Sequence, residues 1–136
     1  MSRKQFEKFY WPGLKRALLC TIELGIVPMI LCEGEYGQRL EYFLELPKGK
    51  AVCLFDRTDM FRAKEILKDH VCIGGNVPSS LLQIGSPQEV EEYCAKLIKV
   101  CGKGGGFILS PGSSIDEAKP ENIKAMIDST KKYTAG

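Results

Sequence analysis

The sequence predicts an α/β protein built on a parallel sheet, and three observations predict it. Short apolar runs alternate four times with stretches of helical spacing along 136 residues, the order that parallel strands and crossover helices require. The strand-like runs are apolar at consecutive positions, as in strands buried on both faces. The helix-to-strand turns "PKG", "KD" and "GKGG" are short, whereas the segments following the strands are longer and polar. That asymmetry places the working face at the carboxyl ends of the strands.

Each element has its own signals. Pro12 suits a first helical position, Leu14, Leu18, Leu19 and Ile22 follow at helical spacing, and Gly25 ends that helix. "IVPMILCEG" (26–34) is then read as a strand buried on both faces. A second unit has a helix from Tyr36 to Leu46, a turn at 47–49 and a strand "KAVCLF" (50–55) ending at Asp56. A third has a helix from Asp59, its N-cap, to Lys68, followed by the strand "HVCIGG" (70–75).

The segment "GGNVPSSLLQIGS" (74–86) reads as a polar loop at the working face. After it Ser86 caps, Pro87 occupies N1 and Glu89 completes a capping box. Val90, Tyr93, Cys94, Leu97, Ile98 and Cys101 form one apolar stripe, and Gly102 ends the helix. "GGFILS" (105–110) is the fourth strand, and Pro120 opens a last helix with Ile123, Met126, Ile127 and Tyr133 on one side. The glycines of "GKGGG" (102–106) precede a strand, so they make a connecting turn. A phosphate cradle would need them after a strand, at a helix N-terminus.

Composition excludes several classes. With 44% hydrophobic residues, 26% charged and a net charge of +2, the chain reads as one globular domain over 1–136. It has no basic stripe for nucleic acid, no apolar run of membrane-spanning length and no secretory signal, and it is expected to be cytoplasmic. The six cysteines, at 20, 32, 53, 72, 94 and 101, lack disulfide or zinc-ribbon spacing and read as buried free thiols. His70, the one histidine, precedes a strand and reads as structural.

Several segments carry a resemblance in combination: "FYWPGLKRALLCTIELGIVPMILCEG", "GNVPSSLLQIGSPQEVEEY" and "GKGGGFILSPGSSIDEAKPENIKAMIDSTKKY". Together they resemble the carboxyl-terminal half of the uroporphyrinogen decarboxylase family, closest to its corrinoid-dependent methyltransferase and decarboxylase-like branch. The resemblance implies a partial TIM (β/α)8 barrel, strands five to eight with their helices. A whole barrel takes about 250 residues, so the chain is read as a fragment in which Met1 matches an internal position. The expected activity of the full-length form is methyl transfer to or from a corrinoid, with uroporphyrinogen decarboxylation as the alternative. A further alternative is a non-catalytic half-barrel that self-associates or pairs with a separate amino-terminal half. Alone, the chain is expected to be inactive.

Candidate site residues follow from strand ends. Glu33 and Asp56 are the candidates for acid/base or charged roles, and Tyr36, Asn76, Ser110 and Ser113 for substrate binding. Asp59 is read as a cap. Ser110 and Ser113 have no histidine near in sequence to activate them, which disfavours a serine nucleophile. The family's decarboxylases carry an arginine segment and an aspartate in a region with no match here, and their late Gly-His-Gly is replaced by "SPGSS".

The methyltransferase branch implies zinc held by a His-x-Cys pair and a later cysteine. Here "ILCEG" supplies Cys32 and Glu33 without histidine, and Ser113 stands near the expected cysteine. No metal is therefore expected; Cys32 and Glu33 come nearest to ligands, with Asp56 or Asp59 as further carboxylates. No tightly bound cofactor is expected either. A small-molecule substrate and a corrinoid protein carrying methylcobalamin are the expected partners.

Overall fold

The strands run as the alternation predicts. The computed structural model describes residues 1–134, and its sheet has four parallel strands in the order β1-β2-β3-β4: β1 (Met29–Cys32), β2 (Val52–Phe55), β3 (Cys72–Val77) and β4 (Phe107–Pro111). No helix is long and apolar enough to cross a membrane among the described residues.

The first helical run starts earlier than Pro12. Ser2 caps it through a capping box with Gln5, α1 (Arg3–Gln5) leads into a π-helical segment (Phe6–Tyr10), and α2 (Trp11–Glu23) continues it. Pro12 has no N–H, and its ring would strike the carbonyl four residues back; the widened turn ahead of it relieves both demands. Gly25, with φ of 78°, stands just past its end.

The predicted helix from Tyr36 to Leu46 is instead a set of turns and a 3₁₀ segment, Leu40–Glu45. Leu40, Phe43 and Leu46 are all buried, and their spacing of three puts them on one edge of a 3₁₀ helix. They meet the amino-terminal run in an aromatic cluster. Trp11 packs edge-on to Phe43 at 5.7 Å and Tyr42 lies 5.3 Å from Phe6, while the Trp11 indole and Lys15 both donate to Glu45.

Helix α3 (Met60–Leu67) begins where Asp59 accepts from the Phe61 and Arg62 amides. The predicted polar loop at 74–86 is mostly regular structure. β3 runs on through Val77, and α4 (Ser79–Ile84) fills the rest. Helix α5 (Pro87–Cys101) has the expected capping box, with Val90, Cys94, Leu97, Ile98 and Cys101 buried.

In α6 (Pro120–Tyr133) the buried face agrees with the expected one only in part: Ile123 and Met126 pack against the core. Ile127 and Tyr133 are exposed, whereas Asn122 and Ser129 are buried. The reason is polar: Asn122 donates to the Leu82 and Gly85 carbonyls at 3.0 and 2.8 Å, satisfying the end of α4.

The sheet departs from expectation in one respect that governs the rest. Burial alternates along β1 and β2, which are sealed on one face only. Ile30, Cys32, Cys53, Phe55 and Ile73 are sealed beneath the helices, while Met29 and Leu31 are 60% and 67% exposed. The register aligns the uncovered face into rows. Met29, Val52 and Cys72 form one row, and Leu31, Leu54, Gly74 and Ile108 the next. The strands are apolar on both sides, as the sequence reads, but the helices of this chain cover only one.

Gly75 shows how tightly the sealed side is built. Its φ is 127°, and a Cβ there would lie 2.4 Å from the Phe55 carbonyl oxygen. Gly75→Ala should therefore lower stability by about 1–3 kcal/mol or more, read as a lower denaturation midpoint; an unchanged midpoint would contradict this packing.

Candidate functional site

Polar residues take over where the apolar rows end. One step beyond the Cys32–Phe55 pair stand Glu33 and Asp56, and Asn76 is in register with Ser110. A depression of about 450 Å³ gathers Glu33, Asp56, Ser110 and Ser113 with Gly112 and Asp116, floored by Leu31 and Leu54. The structure thus brings together four of the sequence-derived candidates at the carboxyl ends of β1, β2 and β4.

Asp56 is held on several sides. Its Oδ2 accepts the Gly34 amide at 3.3 Å and lies 3.8 Å from Arg57 Nε. Gly112 packs against it so closely that a Cβ would sit 2.9 Å from the Asp56 carbonyl oxygen. Glu33 is exposed. Ser113 and Ser79 share a hydrogen bond at 2.9 Å, and Ser110 donates to the Pro111 carbonyl at 3.1 Å.

Asn76 and Tyr36 stand elsewhere. Asn76 is 8% exposed and points to the helix side, where its amide donates to the Asp56 and Thr58 carbonyls at 3.0 and 2.8 Å. Tyr93 donates to its Oδ1 over 3.4 Å. Thr58, itself buried, accepts from the Tyr36 amide at 2.9 Å. Asn76 therefore fastens the loop that carries Asp56, a role that a buried amide with two donors can fill and that sequence position alone does not show.

Tyr36 packs among Phe6, Phe43 and Phe55, with Arg39 over its ring at 5.5 Å. Burial pushes its phenol up. Asn76, Asp59 and Tyr93 line a separate cleft of about 690 Å³ between α3 and α5.

The residues do not fit the zinc site that the resemblance implies. Cys32 is 1% exposed and turned under the helices, its thiol directed at the Ile30 carbonyl, while Glu33 belongs to the opposite face. Asp59 is occupied in capping α3. No group of three His, Cys, Asp or Glu residues converges to hold a metal among the described residues.

The molecule is thus a parallel α/β unit with an acidic depression at its strand ends, open on the side away from its helices. The chain belongs to the uroporphyrinogen decarboxylase (URO-D) family, whose model matches residues 1–133. A uroporphyrinogen decarboxylase of Chromohalobacter salexigens is 26% identical over 126 residues, 92% of this chain and 35% of that protein. The methylcobamide:CoM methyltransferase MtbA of Methanosarcina acetivorans is 25% identical over 129 residues, 94% of this chain and 37% of that protein.

Among solved structures, a methyltransferase from Methanosarcina mazei superposes with a TM-score of 0.77 at 18% identity. It covers 99% of this chain, which spans 39% of the solved one. The chain thus spans about two fifths or less of these relatives.

The cysteines divide by environment. Four are buried, Cys72 is half-buried, and Cys20 is exposed, contrary to the expectation that all six are buried. Cys20 lies on α2, outside that helix's buried face. The Cys32 thiol and burial push Cys53 up, and burial raises Cys94 and Cys101 to about 11. An unfolded cysteine ionises near about 8.5, so as pH rises the unfolded chain loses these protons first. Stability should fall from about pH 8.5 upward, the share due to Cys94 and Cys101 being complete once the pH passes their folded values near 11. Denaturation midpoints between pH 7 and about 11 check this, and a flat profile would contradict it. At neutral pH a thiol reagent should label Cys20 first.

Proposed function

We propose that the chain is the carboxyl-terminal half of a (β/α)8 barrel and supplies part of the mouth at which the complete barrel transfers a methyl group to or from a corrinoid. One observation carries the choice of reaction. The part of the mouth that this chain supplies is lined by the carboxylates of Glu33, Asp56 and Asp116, and the cation beside them is the Arg57 guanidinium, 3.8 Å from Asp56. A decarboxylase must hold a carboxylate substrate, and this wall of the mouth, with three carboxylates against one exposed cation, opposes one. A neutral or thiol acceptor meets no such penalty. The relative named as a methylcobamide:CoM methyltransferase supports the same reading.

In this reading the corrinoid is carried by a partner protein, and a small molecule is its methyl donor or acceptor. Glu33, exposed at the rim, takes the acceptor's proton as the acceptor gains the methyl group. Asp56, fixed by the Gly34 amide and by Asn76 through its carbonyl, orients the same molecule. Ser110 and Ser113 offer hydroxyls on the opposite side of the depression. No step passes through a metal, because Cys32 and Glu33 do not face one another.

The test combines the chain with the amino-terminal part of a family relative and follows the absorbance of methylcobalamin in the presence of a thiol. Demethylation is expected, slowed about 100-fold by Glu33→Gln. Carbon dioxide release from uroporphyrinogen, with methylcobalamin untouched, would replace this reading by decarboxylation.

A further inference from the structure

A second hollow lies behind the mouth, on the side of the sheet that this chain covers itself. The cleft of about 690 Å³ between α3 and α5 takes its lining from the start of α3, the end of β3, α4 and α5. Both of its walls therefore belong to this chain, and it owes nothing to the uncovered face of the sheet. Its volume falls within the roughly 300–1,000 Å³ of small-molecule sites.

The apolar lining sets the shape of what fits. Met60, Leu81 and Leu97 line it, and Phe61 on α3 and Tyr93 on α5 add one aromatic ring to each wall. Phe61 is 40% exposed there. A flat aromatic ring buries the most area between two such walls.

The polar lining sets where a hydrogen-bonding group goes. Asn76 is 8% exposed, and its Nδ2 is spent on the Asp56 and Thr58 carbonyls. The Tyr93 hydroxyl stands 3.4 Å from Asn76 Oδ1 and 3.5 Å from the Asn76 carbonyl oxygen, long beside the usual separation of about 2.7–2.8 Å for a hydroxyl donor. A ligand hydroxyl can accept from Tyr93 and donate to Oδ1, making two bonds of ordinary length in place of these. Burial pushes the Tyr93 phenol up, which keeps it protonated at neutral pH.

The rim argues for an uncharged ligand. Arg57 and Lys96 face Asp59, Glu89 and Glu92 across it, and all five are exposed, where solvent screens them. The carboxylates are also engaged: Asp59 caps α3, Glu89 accepts the Ser86 amide and Glu92 accepts from Gln88. No buried charge waits to grip an ion.

We propose that this cleft binds an uncharged hydroxyaromatic molecule, its ring between Phe61 and Tyr93 and its hydroxyl bridging the Tyr93 hydroxyl and Asn76 Oδ1. The site is independent of the reaction proposed at the mouth. Asn76 nevertheless touches both, because the amide against this ligand also holds the Asp56 carbonyl.

Nuclear magnetic resonance on the isotope-labelled chain tests this, with phenol as the probe and toluene as its partner of the same shape without the hydroxyl. Phenol should shift the Asn76 side-chain amide and the backbone amides of Phe61, Tyr93 and Leu97, saturating with a Kd of about 1 mM. Toluene should bind roughly 10-fold more weakly. Tyr93→Phe keeps the ring and its packing, so the fold is retained; it should weaken phenol roughly 10-fold and leave toluene unchanged. Shifts confined to Met29 and Leu31 on the uncovered sheet, equal affinity for the two probes, or a phenol affinity indifferent to Tyr93→Phe overturns the proposal.

Discussion

The structure depends on a sheet whose two faces are both apolar and only one of which this chain's helices cover. On the covered face, Cys53, Phe55, Ile73 and the stripe of α5 form a continuous core. On the other, rows of aliphatic side chains meet solvent. Burial of apolar area is the main favourable term in folding, and in the half-barrel reading this face is the interior lining of the complete barrel. The same geometry places the polar strand ends at the rim of the uncovered side, where the missing wall of a barrel would stand.

The mouth is set by what lies behind it. Asp56 owes its position to a network beginning at Tyr93 on α5 and passing through Asn76 to the Asp56 and Thr58 carbonyls. From Thr58 it reaches the Tyr36 amide beyond β1. Three strand ends and a helix are tied together by buried hydrogen bonds, which are costly to leave half-made. The site is therefore rigid from behind and open in front. Its acidity, which separates methyl transfer from decarboxylation in this account, arises from one carboxylate at each of two strand ends and a third, Asp116, in the loop after β4.

Much of the fold was legible in the sequence. The four strands, the capping box at Ser86 and Glu89, the Asp59 cap and the glycine turn before β4 have local signals. The capping box of Ser2 and Gln5 was also there to be read, as was the spacing of three in Leu40, Phe43 and Leu46. What was not legible depends on contacts distant in sequence. The buried face of α6 is chosen by Asn122 reaching the end of α4, and Asn76 is turned from the mouth by carbonyls on the neighbouring strand's loop. Glu33, Asp56, Ser110 and Ser113 share one depression because strand ends of parallel sheets converge. Tyr36 does not, because its ring completes the aromatic cluster of Phe6 and Phe43. Consecutive apolar residues correctly mark a strand with two apolar faces, but they do not say which chain covers the second.

Hydrogen exchange of the chain combined with the amino-terminal part of a family relative, resolved by peptide mass spectrometry, tests the central claim most directly. A complete barrel predicts that backbone amides of β1 and β4 in this assembly are protected nearly as well as those of β2 and β3, and that in the single chain the two edge strands lose protection first. Edge strands that exchange as freely in the assembly as in the single chain, beside protected β2 and β3, would contradict it.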